Sequence, residues 1–213
     1  VVKGLQENGV SAAIKHFPGH GDTATDSHLG LPVVDKSYDE VKNLELIPFD
    51  KSAKEGVDMI MTAHISYPQL EKDTVISKKD GSVIGIPATL SDDIITGIIR
   101  KKMNYNGIVI TDAMKMQAIA DHFGEEEAVI MAIRAGVDIP LMPALLQKNE
   151  DLLKLDSIIN RIKQEINLGN ISENQLNNSV YRILDLKYRR GILDLDQYNK
   201  PIEEKIENAL KVV

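Results

Sequence analysis

The sequence predicts an α/β fold built on a parallel sheet, and three observations carry that prediction. Four short apolar runs occur at residues 10–15 (VSAAIK), 57–63 (VDMIMTA), 108–111 (IVIT) and 137–141 (VDIPL). They are rich in β-branched residues and lack clean apolar–polar alternation, as expected of strands covered on both faces. Amphipathic stretches separate them, so the order reads β-α-β-α-β-α-β and then helix. Repeated βα units of this kind form either an open doubly wound sheet or a (β/α) barrel.

The elements follow in chain order. The opening residues read as a helix leading directly into the first strand. Residues 38–55 form an amphipathic stretch carrying Val41, Leu44, Leu46, Ile47, Phe49 and Ala53, and Pro48 is expected to break it in two. Residues 91–103 open with Ser91-Asp92-Asp93, an N-cap followed by two acids at the positive end of the helix dipole. Residues 125–135 start with three glutamates for the same reason. Each strand follows a glycine (Gly9, Gly56, Gly107, Gly136), expected as the left-handed residue just past a helix end. Glu55-Gly56-Val57-Asp58-Met59-Ile60-Met61 resembles Ala135-Gly136-Val137-Asp138-Ile139-Pro140-Leu141, a weak internal repeat that reads as one helix-to-strand junction used twice. Residues 152–168 have helical spacing and end at Gly169. Ser172-Glu173-Asn174-Gln175 is a capping-box pattern opening a helix to about Arg190, stopped by Gly191. Residues 202–213 read as one more short helix.

Composition removes several function classes. With 25 Lys+Arg against 32 Asp+Glu the net charge is −7, which argues against a protein that tracks nucleic-acid phosphates. Hydrophobic residues at 43% and charged residues at 27% exclude wholesale disorder. No apolar run reaches the length of a membrane span. The absence of cysteine excludes disulfides, thiolate metal sites and a Cys nucleophile. Val1-Val2-Lys3-Gly4 shows neither an initiator Met nor a signal-peptide pattern, so the chain is expected to be cut from something longer.

Polar chemistry gathers at the strand ends. The first strand runs into Lys15-His16, the second into His64 and the third into Thr111-Asp112. In parallel α/β folds the ligand lies beyond the carboxyl ends of the strands, so the three point to one pocket. The densest segment is the 14-residue stretch from Lys15 to His28 (KHFPGHGDTATDSH), with three of the five histidines. A phosphate cradle is disfavoured, because Gly19-His20-Gly21-Asp22 lacks the Gly-Lys-Ser/Thr ending and Asp22 would repel phosphate. Three readings stay open. His16, His20, Asp22 and His28 are suitable metal ligands, although their spacing matches no compact motif. His20 and Asp22 could instead bond loop backbone. Finally, Asp26 and His28 lie two residues apart and reach the same side of an extended segment. A carboxylate on one ring nitrogen then fixes the tautomer and raises the basicity of the other, as a proton shuttle needs.

Lys15-His16-Phe17-Pro18-Gly19-His20-Gly21-Asp22-Thr23, followed by Asp26-Ser27-His28, resembles the signature of glycoside hydrolase family 3. The likeness continues through Glu45-Leu46-Ile47-Pro48-Phe49, Ile60-Met61-Thr62-Ala63-His64-Ile65 and Gly107-Ile108-Val109-Ile110-Thr111-Asp112-Ala113-Met114. Thr111-Asp112-Ala113-Met114, with no Trp after the Asp, is similar to the β-N-acetylglucosaminidase branch rather than the β-glucosidase branch. The resemblance implies a (β/α)8 barrel of which this chain holds the C-terminal four βα units, followed by C-terminal helices. It implies exo-hydrolysis of terminal β-linked N-acetylglucosamine, with peptidoglycan fragments or chitooligosaccharides as substrates. By the family pattern Asp112 is the nucleophile, His28 the general acid/base and Asp26 its orienting partner. Lys15 and His16 bond sugar hydroxyls, and His64 either contacts the sugar or supports Asp112. No metal and no cofactor is implied. Residues 1–190 are then the half-barrel and residues 191–213 a linker or helix towards a further domain. The expected partner is the N-terminal half of the barrel, since a half-barrel exposes strand edges and an open core. A bacterial cell-surface location is favoured over the cytoplasm. Two competing functions remain, a non-catalytic sugar-binding or scaffold protein on the same fold and a metal-dependent hydrolase using His16, His20 and Asp22.

Overall fold

A computed structural model describes residues 1–21, 23 and 30–193. In chain order it holds α1 (Val2–Gln6), β1 (Ala13–Phe17), α2 (Tyr38–Asn43), α3 (Leu46–Lys54), β2 (Met59–Thr62), β3 (Thr74–Ile76) and β4 (Val83–Gly85). A 3-10 turn (Ala88–Leu90) and a π-helix (Asp93–Lys102) lead to β5 (Ile108–Thr111). Then come α4 (Gln117–Phe123), α5 (Glu125–Ala135), a 3-10 turn (Asn149–Asp151), α6 (Leu152–Asn167) and α7 (Glu173–Arg189). The helix expected at 202–213 lies outside the described residues. Among the described residues no helix is long and apolar enough to cross a membrane.

The main sheet is parallel in the order β1-β2-β5, so neighbours in space are also neighbours in chain order. Ile60 and Val109 are fully buried at its centre. The run at 137–141 does not become a full strand. It makes a single parallel bridge, Ile110 to Ile139, with Thr111 N donating to Ile139 O at 3.1 Å. The ladder ends after Ile139, because the next N–H facing β5, that of Leu141, donates to Thr111 Oγ1 at 2.9 Å and not to a backbone carbonyl. The sheet packs against helices through a continuous core that includes Phe17, Phe49, Ile65, Ile95, Ile99 and Ile119.

Local signals account for most element ends. Ser37 and Glu40 form a reciprocal capping box on α2. Ser91 Oγ accepts from Ile94 N at 3.1 Å and caps the π-helix, whose closing bond from Met103 N to Ile98 O spans five residues. Ser172 Oγ accepts from Gln175 N at 3.1 Å at the start of α7. The break in the 38–55 stretch falls between Asn43 and Leu46, not at Pro48. Pro48 is the third residue of α3, where the N–H has no intrahelical partner to lose. Gly107 also departs from expectation. Its φ is not positive, and Asn104 takes the left-handed conformation instead (φ 51°). Glycine is needed at 107 for space, because a Cβ would collide with the Tyr105 hydroxyl and lie 2.9 Å from the Asp58 carbonyl.

The internal repeat has a structural counterpart in two buried aspartates. Asp58 precedes β2 and its side chain is 1% exposed, while that of Asp138, beside β5, is 0% exposed. Asp138 Oδ1 accepts from Arg182 Nε (3.0 Å) and Nη2 (2.8 Å), and Oδ2 from Arg100 Nη2 (2.6 Å) and Val109 N (2.8 Å). Asp58 accepts from Arg190 Nε (3.0 Å) and Arg189 Nη1 (3.4 Å). Arg182 and Arg189 lie on α7, and Arg190 caps its C-terminus. Seven residues of helix rise ~10.5 Å. Two strand spacings, from β2 across β5 to Ile139, span ~9.6 Å. One helix therefore reaches both aspartates and crosses the amino-terminal end of the sheet.

Asp138→Ala should lower unfolding stability by about 3–5 kcal/mol, because it leaves two largely buried guanidinium groups without their counter-ion. Urea unfolding of the full-length protein measures this. Lys54→Ala, which removes an exposed pair with Asp50, should leave the midpoint unchanged. Equal effects would contradict the role assigned to Asp138.

Candidate active site

Three adjacent parallel strands deliver their carboxyl-end residues to one place. His16 lies near the end of β1, His64 just beyond β2 and Asp112 just beyond β5. His16 Nε2 is 3.4 Å from Asp112 Oδ2, and both side chains are about three-quarters buried (25% and 22% exposed). The His20 ring meets His16 edge to face, with centroids 5.4 Å apart. Lys15 is exposed beside His16. The peptide bonds Lys15–His16 and Phe17–Pro18 are cis. Asp26 and His28, and with them Asp22, lie outside the described residues.

Asp112 is held from two sides. Its N–H donates to Thr62 O at 3.1 Å, so β2 fixes its backbone. Its Oδ1 accepts from the Ala113 N–H at 2.7 Å, which leaves Oδ2 as the oxygen on the His16 side. Met114 N donates to Leu141 O at 2.9 Å and ties the following turn to the segment after Ile139.

His64 is 1% exposed and spends both ring nitrogens inside the protein. Nε2 lies 3.0 Å from Ala113 O, an atom that can only accept, so the ring proton sits on Nε2. Nδ1 lies 2.9 Å from Thr89 Oγ1, which donates to Ala63 O at 2.9 Å and lies 3.0 Å from Thr62 Oγ1. The Ala113 peptide is thus gripped at both ends, its N–H by Asp112 and its C=O by His64. Burial pushes the His64 ring below its ordinary value of 6.5, against the pull of the Ala113 carbonyl and Asp112. Thr89 comes from the 3-10 turn before the π-helix, and no local pattern in the sequence marks it.

The segment after β1 is anchored at both limbs. Tyr67 Oη donates to Gly19 O at 2.8 Å on the first limb. On the second, Val34 N donates to Ser66 O and Ser66 N to Pro32 O, each at 2.9 Å. Lys36 Nζ lies 2.6 Å from Glu45 Oε1, with side chains 19% and 8% exposed. The other oxygen of Glu45 is buried with no hydrogen-bond partner among the described residues. The hairpin of β3 and β4 lies in the connection after His64, and its turn docks on α4 through Lys78 N to His122 O at 2.8 Å. Its strands have three residues each. Asp80-Gly81 between β-branched runs is the signal that could have revealed it. Among the described residues no three His, Asp or Glu side chains lie close enough to hold a metal ion.

A carboxylate with one oxygen fixed by backbone and the other beside an imidazole, in a partly open site, suits attack on an electrophilic carbon. Residues 1–186 match the glycosyl hydrolase family 3 N-terminal domain. The chain is 40% identical over 187 residues to β-hexosaminidase A of Pseudoalteromonas piscicida, covering 87% of this chain and 31% of that protein. It is 33% identical over 140 residues to a β-hexosaminidase of Neisseria gonorrhoeae, covering 66% and 35%. A solved family 3 β-N-acetylglucosaminidase from Paenibacillus superposes with a TM-score of 0.77 at 37% identity, covering 90% of this chain and 33% of that one. The chain therefore spans about a third of the length of these relatives.

The neutral state of His64 gives stability a pH dependence. Unfolding frees the ring to take up a proton near ~6.5, whereas the folded ring takes one only at lower pH. The contribution is complete above ~6.5 and is lost as pH falls below it. His64→Gln should flatten the fall in melting temperature between pH 7.5 and 5.5. An unchanged slope would show that His64 does not carry it.

Proposed function

The chain belongs to glycosyl hydrolase family 3, and from that premise we propose that it supplies the catalytic carboxylate of a retaining exo-β-N-acetylglucosaminidase. Terminal β-linked N-acetylglucosamine is the proposed substrate, as in peptidoglycan fragments where it is joined to N-acetylmuramic acid. The observation that carries the proposal is Asp112, with Oδ1 held by the Ala113 amide and Oδ2 beside His16. The names of the relatives support the sugar, and the Thr-Asp-Ala-Met sequence supports the branch.

The reaction runs in two displacements. Asp112 Oδ2 attacks the anomeric carbon and the bond to the leaving oxygen breaks, giving a glycosyl–aspartyl ester. His28, as imidazolium, gives its proton to that oxygen. The neutral ring then takes a proton from water, whose oxygen attacks the anomeric carbon and expels Asp112. With an ordinary pKa near ~6.5, a histidine serves both steps near neutrality, and Asp26 orients it. Lys15 and His16 bond hydroxyls of the bound sugar. His64 acts through the Ala113 peptide and so holds the Asp112 turn in place.

The same proposal covers the architecture. Residues 1–190 form the last four βα units of a (β/α)8 barrel, with residues 191–213 leading onward. Support comes from strands that neighbour one another in chain order, as barrel strands do, where a doubly wound sheet reverses direction. The other half of the barrel is then the partner that covers the open edges of this sheet.

Asp112→Ala in the full-length protein should abolish turnover of aryl N-acetylglucosaminides, and full activity would overturn the assignment. Calorimetric binding of N-acetylglucosamine without any turnover by the parent would make the protein a sugar-binding scaffold instead. His28→Ala should harm a disaccharide, on the order of 10²-fold or more, far beyond nitrophenyl substrates whose leaving group needs no proton. Equal losses on the two would count against His28 as the acid.

A further inference from the structure

At the mouth of the site stands a cation that the proposed reaction does not use. Lys115, three residues beyond Asp112, is exposed between two buried methionines, Met114 (2% exposed) and Met116 (9%). We propose that Lys115, together with Met142, forms the subsite for the leaving sugar and selects one that carries a carboxylate. The inference rests on the reading of Asp112 as the nucleophile for a terminal N-acetylglucosamine, and it adds which side chains recognise the group that departs.

Both residues are displayed by segments that also hold Asp112. Ala113 O lies 3.0 Å from both His64 Nε2 and Met116 N, so residues 113–116 close into a turn pinned on the buried histidine. With Met114 and Met116 buried, Lys115 is the one exposed residue of that turn. Leu141 grips the chain on either side of Asp112. Its N–H donates to Thr111 Oγ1 and its C=O accepts from Met114 N, both at 2.9 Å. Met142 comes next. It is 44% exposed and holds φ at 49°, a left-handed conformation that residues other than glycine rarely adopt. Such backbone outliers collect where a site needs a side chain in one place. Lys115 and Met142 each follow one end of the Met114–Leu141 hydrogen bond, so both stand on the same rim.

Depth separates the two sugars. In retaining hydrolysis the nucleophile and the leaving oxygen flank the anomeric carbon. The sugar under attack meets His16 and Asp112, both about three-quarters buried, and the leaving sugar lies towards solvent, where the exposed residues are. There a flexible thioether suits the apolar face of a ring. An ammonium suits a carboxylate, through a charge-assisted hydrogen bond. Among the described residues Lys115 forms no ion pair, in a chain whose net charge is −7. A neutral leaving sugar gains nothing from that charge.

The test uses the full-length protein with Lys115→Met, Lys115→Arg and Met142→Ala. Being exposed, Lys115 can be replaced without loss of the fold. kcat/KM is measured on two disaccharides, β-linked N-acetylglucosamine joined to N-acetylmuramic acid or to a second N-acetylglucosamine. Lys115→Met should lower the ratio of acidic to neutral kcat/KM on the order of 10-fold, the worth of one hydrogen bond to a charged group. Lys115→Arg should keep the parent's ratio, and Met142→Ala should raise KM for both disaccharides alike. An unchanged ratio in Lys115→Met, or an unchanged KM in Met142→Ala, overturns the proposal. A parent inactive on both disaccharides would sink the glycosidase reading, and calorimetry with N-acetylmuramic acid then decides the subsite. Binding on the order of 10-fold weaker in Lys115→Met than in the parent would uphold it, and equal or absent binding would overturn it.

Discussion

Much of this architecture hangs on two buried aspartates, one before β2 and one before the bridge at Ile139, with β5 between them. Asp58 and Asp138 are nearly or wholly inaccessible, and each is met by arginines from the same helix. A buried carboxylate is tolerable only with its charge and lone pairs answered, so the positions of Arg182, Arg189 and Arg190 are dictated by the strand spacing. That requirement brings α7 across one end of the sheet. It keeps the helix clear of the opposite end, where Lys15, His16, His64 and Asp112 emerge. The junction repeated in the sequence is thus a pair of anchor points, and the separation of structural and chemical ends follows from them.

At the chemical end the same economy operates with neutral groups. The Thr62–Thr89–His64 chain is fully buried and ends on the carbonyl of Ala113, whose amide holds Asp112. A neutral histidine suits this place because burial disfavours its charged form. The carboxylate is therefore oriented by partners drawn from three segments of the chain. The chain after β1 is held differently, by Tyr67 on the Gly19 carbonyl and by Ser66 paired with Pro32 and Val34.

Legibility in the sequence followed the range of the interaction. Capping at Ser91 and Ser172 could be read because the donor lies three residues away. The three paired strands could be read from their apolar runs. Pro48 misled because its effect depends on where the helix begins, and that start was set by the split at Leu44 and Glu45. The run at 137–141 misled because its composition says strand while the Thr111 side chain takes the Leu141 N–H that the ladder would use. Gly107 was placed correctly but for another reason, a close approach of Tyr105 and Asp58 that no neighbour in sequence announces. The hairpin at Thr74–Gly85 was passed over although Asp80-Gly81 carried a turn signal.

By itself, then, the sequence determined the α/β class, the residue types at each strand end and membership of a glycosidase family. All of these are written in period, in caps or in contiguous motifs. The tertiary structure alone decided that His16 faces Asp112 across 96 positions, that His64 answers to Thr89 and Ala113, and that α7 claims both aspartates. The physical reason is that these contacts are satisfied by geometry rather than by pattern. A buried polar group must find a partner, but which one it finds depends on how the strands register and how the helices cross.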